Sequence, residues 1–134
     1  MTELQAIIDG IRAGLGWEVT DAGPHTFEVR IPIPEGRQQL VTVSPGSDPD
    51  TQPLLFVWSE VGDAADLGDP WKLLELNAGL EYGALCLHEG AVFLRDSVRL
   101  DNLDPGSAAR ILYHCAVAAD ELERYAYGDD ADQL

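Results

Sequence analysis

Twice along this chain the apolar residues change spacing, from a helical period to strict alternation and back. That switch restricts the fold more than any motif does. Leu4, Ile7, Ile8, Ile11 and Leu15 recur at helical intervals, while Glu3, Asp9 and Arg12 occupy the other stripe. Thr2 and Gln5 have the spacing of a capping box, and Gly14 and Gly16 supply conformations that end a helix. From Phe27 the period becomes two. Phe27, Val29, Ile31 and Ile33 alternate with Thr26, Glu28, Arg30 and Pro32, the pattern of a half-buried strand. Pro34-Glu35-Gly36 is turn chemistry, and Gln38 to Ser44 returns as the second arm of a hairpin. Pro45 to Pro53, with three prolines, a glycine and two aspartates, reads as a loop, and Leu54 to Val61 as a third strand.

The second half repeats the switch. After a loop from Gly62 to Gly68, Asp69 caps a short helix with Pro70 at its first position, where a missing N–H is harmless. Trp71, Leu73, Leu74, Leu76 and Leu80 make that helix apolar nearly all round. Tyr82 to His88 and Ala91 to Leu100 form a hairpin across Glu89-Gly90. Asp104-Pro105 opens the last helix, whose stripe is Ala108, Ile111, Cys115, Ala118, Leu122 and Tyr125, with Leu112, Ala119 and Ala126 beside it. Asp120 and Arg124 have the spacing of an ion pair, and Gly128 ends the helix.

Hairpin connections are too short for parallel crossovers, so the expected class is α+β with a five-stranded antiparallel sheet. The element order is α-β-β-β-α-β-β-α, in one domain over residues 1–127 with an acidic tail at 128–134. Ile7, Ile11, Val29, Ile31, Ile111, Cys115 and Leu122 are the expected core. The length of 134 residues suffices for one such core without disulfides or metal.

Charge narrows the partners. Against 24 Asp and Glu stand 8 Lys and Arg, a formal net charge of −16. Each phosphate contact needs a cation, so nucleic acid and anionic membrane are poor partners. The N-terminal residues lack a signal peptide's basic and apolar regions, and no stretch nears the ~18 apolar residues of a membrane span. Two cysteines cannot make a disulfide framework and suit a reducing, cytoplasmic setting.

Catalytic and metal chemistry find little support. His114 and Cys115 are adjacent, but neighbouring helical side chains point about 100° apart and cannot easily pair. Cys86, His88, His114 and Cys115 could be drawn as a metal set, yet no C-x-x-C or H-x-x-x-H spacing occurs. Asp48, Asp50 and the Asp63 to Asp69 group lack the calcium-loop pattern. There is no Walker loop, no G-x-G-x-x-G and no G-x-S-x-G. The expectation is no catalytic residue, no cofactor and no metal.

The third strand is the informative one. Phe56 and Trp58 face one way and Leu55 and Val57 the other, so both faces are apolar. Either the middle helix folds over the second face, or that face awaits a partner.

The element order, small size and acidity resemble the type III secretion chaperone-like family, which includes class I CesT-type chaperones and YbjN-type domains. The local resemblance lies in Leu73-Leu74-Glu75-Leu76-Asn77, Tyr82-Gly83-Ala84-Leu85, Val92-Phe93-Leu94-Arg95 and Leu100-Asp101-Asn102-Leu103-Asp104. It covers about Leu4 to Tyr127, and the loop Pro45 to Pro53 has no counterpart. The resemblance implies a non-enzymatic, cytoplasmic homodimer joined through the middle helix, with Trp71 and Leu74 as candidate contacts. It implies a protein client, the N-terminal segment of a secreted effector kept export-competent. Leu55, Val57 and Trp58 are the candidate client-binding residues, with the outward face of their strand left open. The alternative is a YbjN-type regulatory or interaction protein with no secretion client.

Overall fold

The computed structural model describes residues 3–67 and 69–126. Outside them lie Thr2 of the capping box, Gly68, the Gly128 helix stop and the acidic tail 128–134.

Helix α1, Glu3–Leu15, buries Leu4, Ile7, Ile8 and Ile11. It ends at Gly16, whose φ is 68° and whose N–H donates to the Arg12 carbonyl at 3.1 Å. Strands β1 (Glu18–Asp21), β2 (Phe27–Ile33), β3 (Arg37–Ser47) and β4 (Pro53–Asp63) follow. After α2 (Trp71–Asn77) come β5 (Ala84–His88), β6 (Ala91–Arg99) and the long helix α3 (Pro105–Ala126). The strands form a single sheet in the order β1-β2-β3-β4-β6-β5, every neighbouring pair antiparallel. The fold is α+β, as the switches of period require.

The sheet has six strands, not five. β1 was missed because its four residues carry one apolar side chain, Val19, and so show no alternation. The expected loop Pro45 to Pro53 is shorter than its composition suggests, because Pro45, Gly46 and Ser47 extend β3 and Pro53 opens β4. β2 ends opposite Val43, leaving Pro45 and Gly46 with a strand neighbour only in β4, where they pair with Leu55 and Leu54. A residue without an N–H is tolerated on such an edge. The true loop is 48–52, closed by the Asp48 carboxylate, which accepts from the Asp50 and Gln52 N–H groups at 2.8 and 2.9 Å.

Both aspartate caps form. Asp69 accepts from Trp71 N–H at 3.0 Å, and Asp104 from Ser107 N–H at 2.7 Å. The second short helix stops at Asn77, before Leu80. On α3 the buried line is Ala108, Leu112, Cys115, Ala119 and Leu122, with Asp120 buried beside it. Ile111, expected in the core, is only partly buried. Asp120 faces inward to Arg37, and Leu112 and Ala119, not Ile111 and Ala118, lie at the centre of the buried face. The other six expected core residues are buried.

Both long helices lie on one side. α3 packs over β2, β3, β4 and β6, and α1 packs on α3 and β1. The crossing is close: a Cβ on Gly10 would lie 2.6 Å from Pro105 Cγ. α2 packs at the β5 edge, burying Leu73.

Candidate protein-binding surface

The pleat sends alternate β4 residues to opposite faces. Leu55, Val57, Ser59 and Val61 go under α3, and Leu55 and Val57 are each 1% exposed. These two candidate client residues are therefore core, because α3 already occupies the face they line. Each contributes about 1.5–3 kcal/mol by burial and is closed to a partner. Trp58 lies on the other face and is half-buried.

Around Trp58 the register assembles an aromatic patch. Trp58 pairs with Thr42 on β3 and with Arg95 on β6. The Arg95 guanidinium lies 4.7 Å from the Phe56 ring centre and 5.0 Å from that of Trp58. Phe93 meets Trp58 edge-on at 5.5 Å, and His88 lies 5.2 Å from the same indole. Leu40 extends the patch on β3 and is exposed. Phe56 covers Gly46, whose missing side chain makes the room: a Cβ there would collide with the ring. Sequence reasoning does not single out Leu40, Phe93 or Arg95 for binding, and it considers His88 only as part of a metal set. Their signal was the parity of the second hairpin, where Phe93 and Arg95 alternate with Val92 and Leu94.

Other large apolar side chains are exposed on α2, β5 and α3. Trp71 and Leu74 are 70% and 60% exposed, and Leu87 and Tyr125 are exposed as well. Lys72 Nζ sits 4.4 Å over the Tyr125 ring. Between the Gly79–Tyr82 connection and α3 runs a shallow groove of about 250 Å³. Tyr82 and His114 stack across it at 5.3 Å.

The sheet edges are partly closed by side chains. Leu85 N–H donates to Asn77 Oδ1 at 2.6 Å, and Asn77 Nδ2 donates to the Leu85 carbonyl at 3.5 Å. At the opposite edge Arg12 Nη2 donates to the Val19 carbonyl at 3.2 Å. These contacts blunt edge-to-edge pairing.

The cysteine and histidine residues drawn as a metal set are not brought together. Cys86 is on the open face of β5, whereas Cys115 is buried under α3 with its Sγ 4.0 Å from Asp96 Oδ2. Burial, then the Asp96 charge, pushes the Cys115 thiol up to about 12. Asp96 itself projects into the core face of β6. Burial raises its carboxyl above the ordinary aspartate value, opposed by the Ser97 N–H and Arg95. Among the described residues no group of three or more His, Cys, Asp or Glu side chains is placed to hold a metal ion. No described helix is long and apolar enough to cross a membrane.

No family profile matches the sequence, and no curated protein matches it either. Solved structures do. One is a chain from the crystal structure of the Yersinia pestis type III secretion chaperone SycH in complex with a stable fragment of YscM2. It is 14% identical with a TM-score of 0.60, over 90% of this chain and 99% of that one. Another comes from the HopA1–SchA chaperone–effector complex, 18% identical with a TM-score of 0.60, over 91% of each chain. At such identities the likeness concerns architecture: the chain has the type III secretion chaperone-like fold.

Proposed function

We propose that this chain is a non-enzymatic protein-binding module, a cytoplasmic secretion chaperone that holds the N-terminal segment of a secreted effector export-competent. One observation carries the reading: one face of the sheet has no long helix over it and presents Trp58, Phe93 and Leu40 at the surface. An extended segment can lay apolar side chains on such a face without first displacing core residues. The occupied edge positions at Val19 and Leu85 favour that face over strand addition. The two solved structures named above are complexes of a chaperone with a protein partner, which agrees with this role. In the same reading two copies join through Trp71 and Leu74.

The test is capture from native lysate, comparing the natural chain with Trp58→Asp at equal recovery of folded protein. The expected result is a partner whose N-terminal segment is protease-sensitive when free, protected when bound, and lost from the variant. The same partners on both chains would overturn the assignment to this face. Capture of folded proteins alone would overturn the chaperone role.

A further inference from the structure

We propose that the open face selects its client through a cationic side chain, an arginine or lysine flanked by apolar residues, seated in a cleft beside Trp58. The proposal rests on the protein-binding role argued above and adds the chemistry of what is recognised. The cleft has a volume of about 490 Å³. Leu40, Trp58 and Phe93 supply its apolar surface; Glu28 and Glu60 bring carboxylates from the sheet, and Glu123 brings one from α3, the helix of the other face.

Charge is unbalanced there. Among the described residues Glu28, Glu60 and Glu123 form no ion pair. Arg30, the cation lining the cleft, is turned to Glu18 at 3.7 Å, and Arg95, outside the lining, lies over Phe56 and Trp58. Gln39 also lines the cleft, but its Nε2 donates to Ser59 Oγ at 2.9 Å and to the Glu60 carbonyl at 3.4 Å, so both its donors are committed. Glu123 shows the strain of this arrangement. Burial raises its carboxyl first, and the negative charges of Asp120 and Glu60 add to the effect.

A guanidinium or ammonium entering the cleft relieves that repulsion through the carboxylates, the Trp58 ring being already engaged by Arg95 at 5.0 Å, while its apolar neighbours cover Trp58, Leu40 and Phe93. A neutral or acidic segment gains the apolar contact alone. The formal charge of −16 adds long-range attraction for a basic segment. A second copy, carrying the same excess of carboxylates, is the less complementary occupant.

The experiment uses fluorescent unstructured peptides carrying Leu-Arg-Leu, and the same peptides with citrulline for arginine, a neutral side chain of equal shape. The arginine peptide should bind on the order of tenfold more tightly, an advantage that falls as salt is raised. Glu60→Gln with Glu123→Gln, isosteric changes on a chain with unchanged circular dichroism, should erase the advantage and leave the citrulline peptide unaffected. Equal binding of both peptides, or an advantage that survives the glutamine changes, overturns the inference. Failure of both peptides to bind does the same. Loss of both on Trp58→Asp, with no effect of the glutamine changes, leaves the binding face standing and removes only its charge selectivity. A natural-chain dimer that falls to monomer with the glutamine changes would assign the cleft to a second copy and likewise overturn the inference.

Discussion

Arg37 Nη2 and Nε lie 2.8 and 3.2 Å from the same oxygen of Asp120, although 83 residues separate the two in sequence. Asp120 projects from α3 with its side chain 8% exposed, and Arg37, 33% exposed, opens β3. The pair ties the β2–β3 turn to the helix covering the core face. Glu35 accepts from Arg37 Nη1 at 2.9 Å and holds the guanidinium from the other side.

Arg37→Met should therefore lower the urea midpoint, since it leaves a nearly buried carboxylate with only the distant Arg124 at 3.9 Å. Adding Asp120→Leu should recover part of the loss, because an apolar pair of similar volume removes the stranded charge. A double variant as unstable as the sum of its singles would show that the two side chains are not coupled.

This pair also marks the limit of sequence reading here. The spacing of Asp120 and Arg124 proposed an i,i+4 pair, and that contact exists at 3.9 Å. Periodicity carries no information about Arg37, which reaches Asp120 only once the sheet has formed. The same blindness set Ile111 at the centre of α3, because a buried aspartate looks like a surface residue until its partner is known. Strand parity was legible at Leu55, Val57 and Trp58, but not which face the helices would cover. That choice depends on where α1 and α3 pack, a long-range fact.

Stability should rise as pH falls through the raised values of Asp96 and Glu123, and decline once acidification reaches the lowered values of Asp101 and Asp104. Burial raises the folded-state carboxyls of Asp96 and Glu123, so their ionisation opposes folding and protonation relieves it. Their contribution is present at low pH and lost as pH rises through the folded values. Asp101, held by Arg99, and Asp104, held by the Ser107 N–H, are lowered and act in the opposite sense. Their contribution is present above the ordinary aspartate range and lost on deeper acidification. Asp96→Asn should raise the midpoint at pH 7 and flatten the acid-side rise, as read by urea unfolding across pH. An unchanged slope would remove Asp96 from the account.

Thr51 sits at φ 64° in the loop between β3 and β4. A β-branched residue in the left-handed region is strained by about 1 kcal/mol or more. Its N–H still donates to the Asp48 carbonyl at 2.9 Å, so a replacement must keep the backbone in place. Thr51→Gly relieves the clash and keeps that bond, at the expense of a looser unfolded chain. Thermal unfolding should show a net gain of about 0.5 kcal/mol, whereas Thr51→Val, equally branched, should show none. A loss with glycine would mean that the Thr51 hydroxyl, 2.6 Å from the Asp50 carbonyl, outweighs the strain.

The expected homodimer turns on two side chains that a lone protomer leaves in water. Trp71 and Leu74 share a seven-residue helix and are 70% and 60% exposed, and Tyr125, which Lys72 of the same helix covers, is exposed as well. A symmetric contact would repeat this surface on both copies and bury Trp71 and Leu74 of each. Each copy carries a formal charge of −16, so long-range repulsion opposes the association that apolar burial favours. Two signatures follow. Light scattering on eluting protein should give twice 14.5 kDa at micromolar concentration, and the dimer should tighten as salt screens the repulsion. Trp71→Glu with Leu74→Glu should yield a monomer whose urea midpoint matches that of the natural chain diluted to monomer, because neither residue is part of the core. A monomer mass that persists at high concentration and high salt would defeat the dimer. A dimer that survives both glutamates would place the contact elsewhere on the chain.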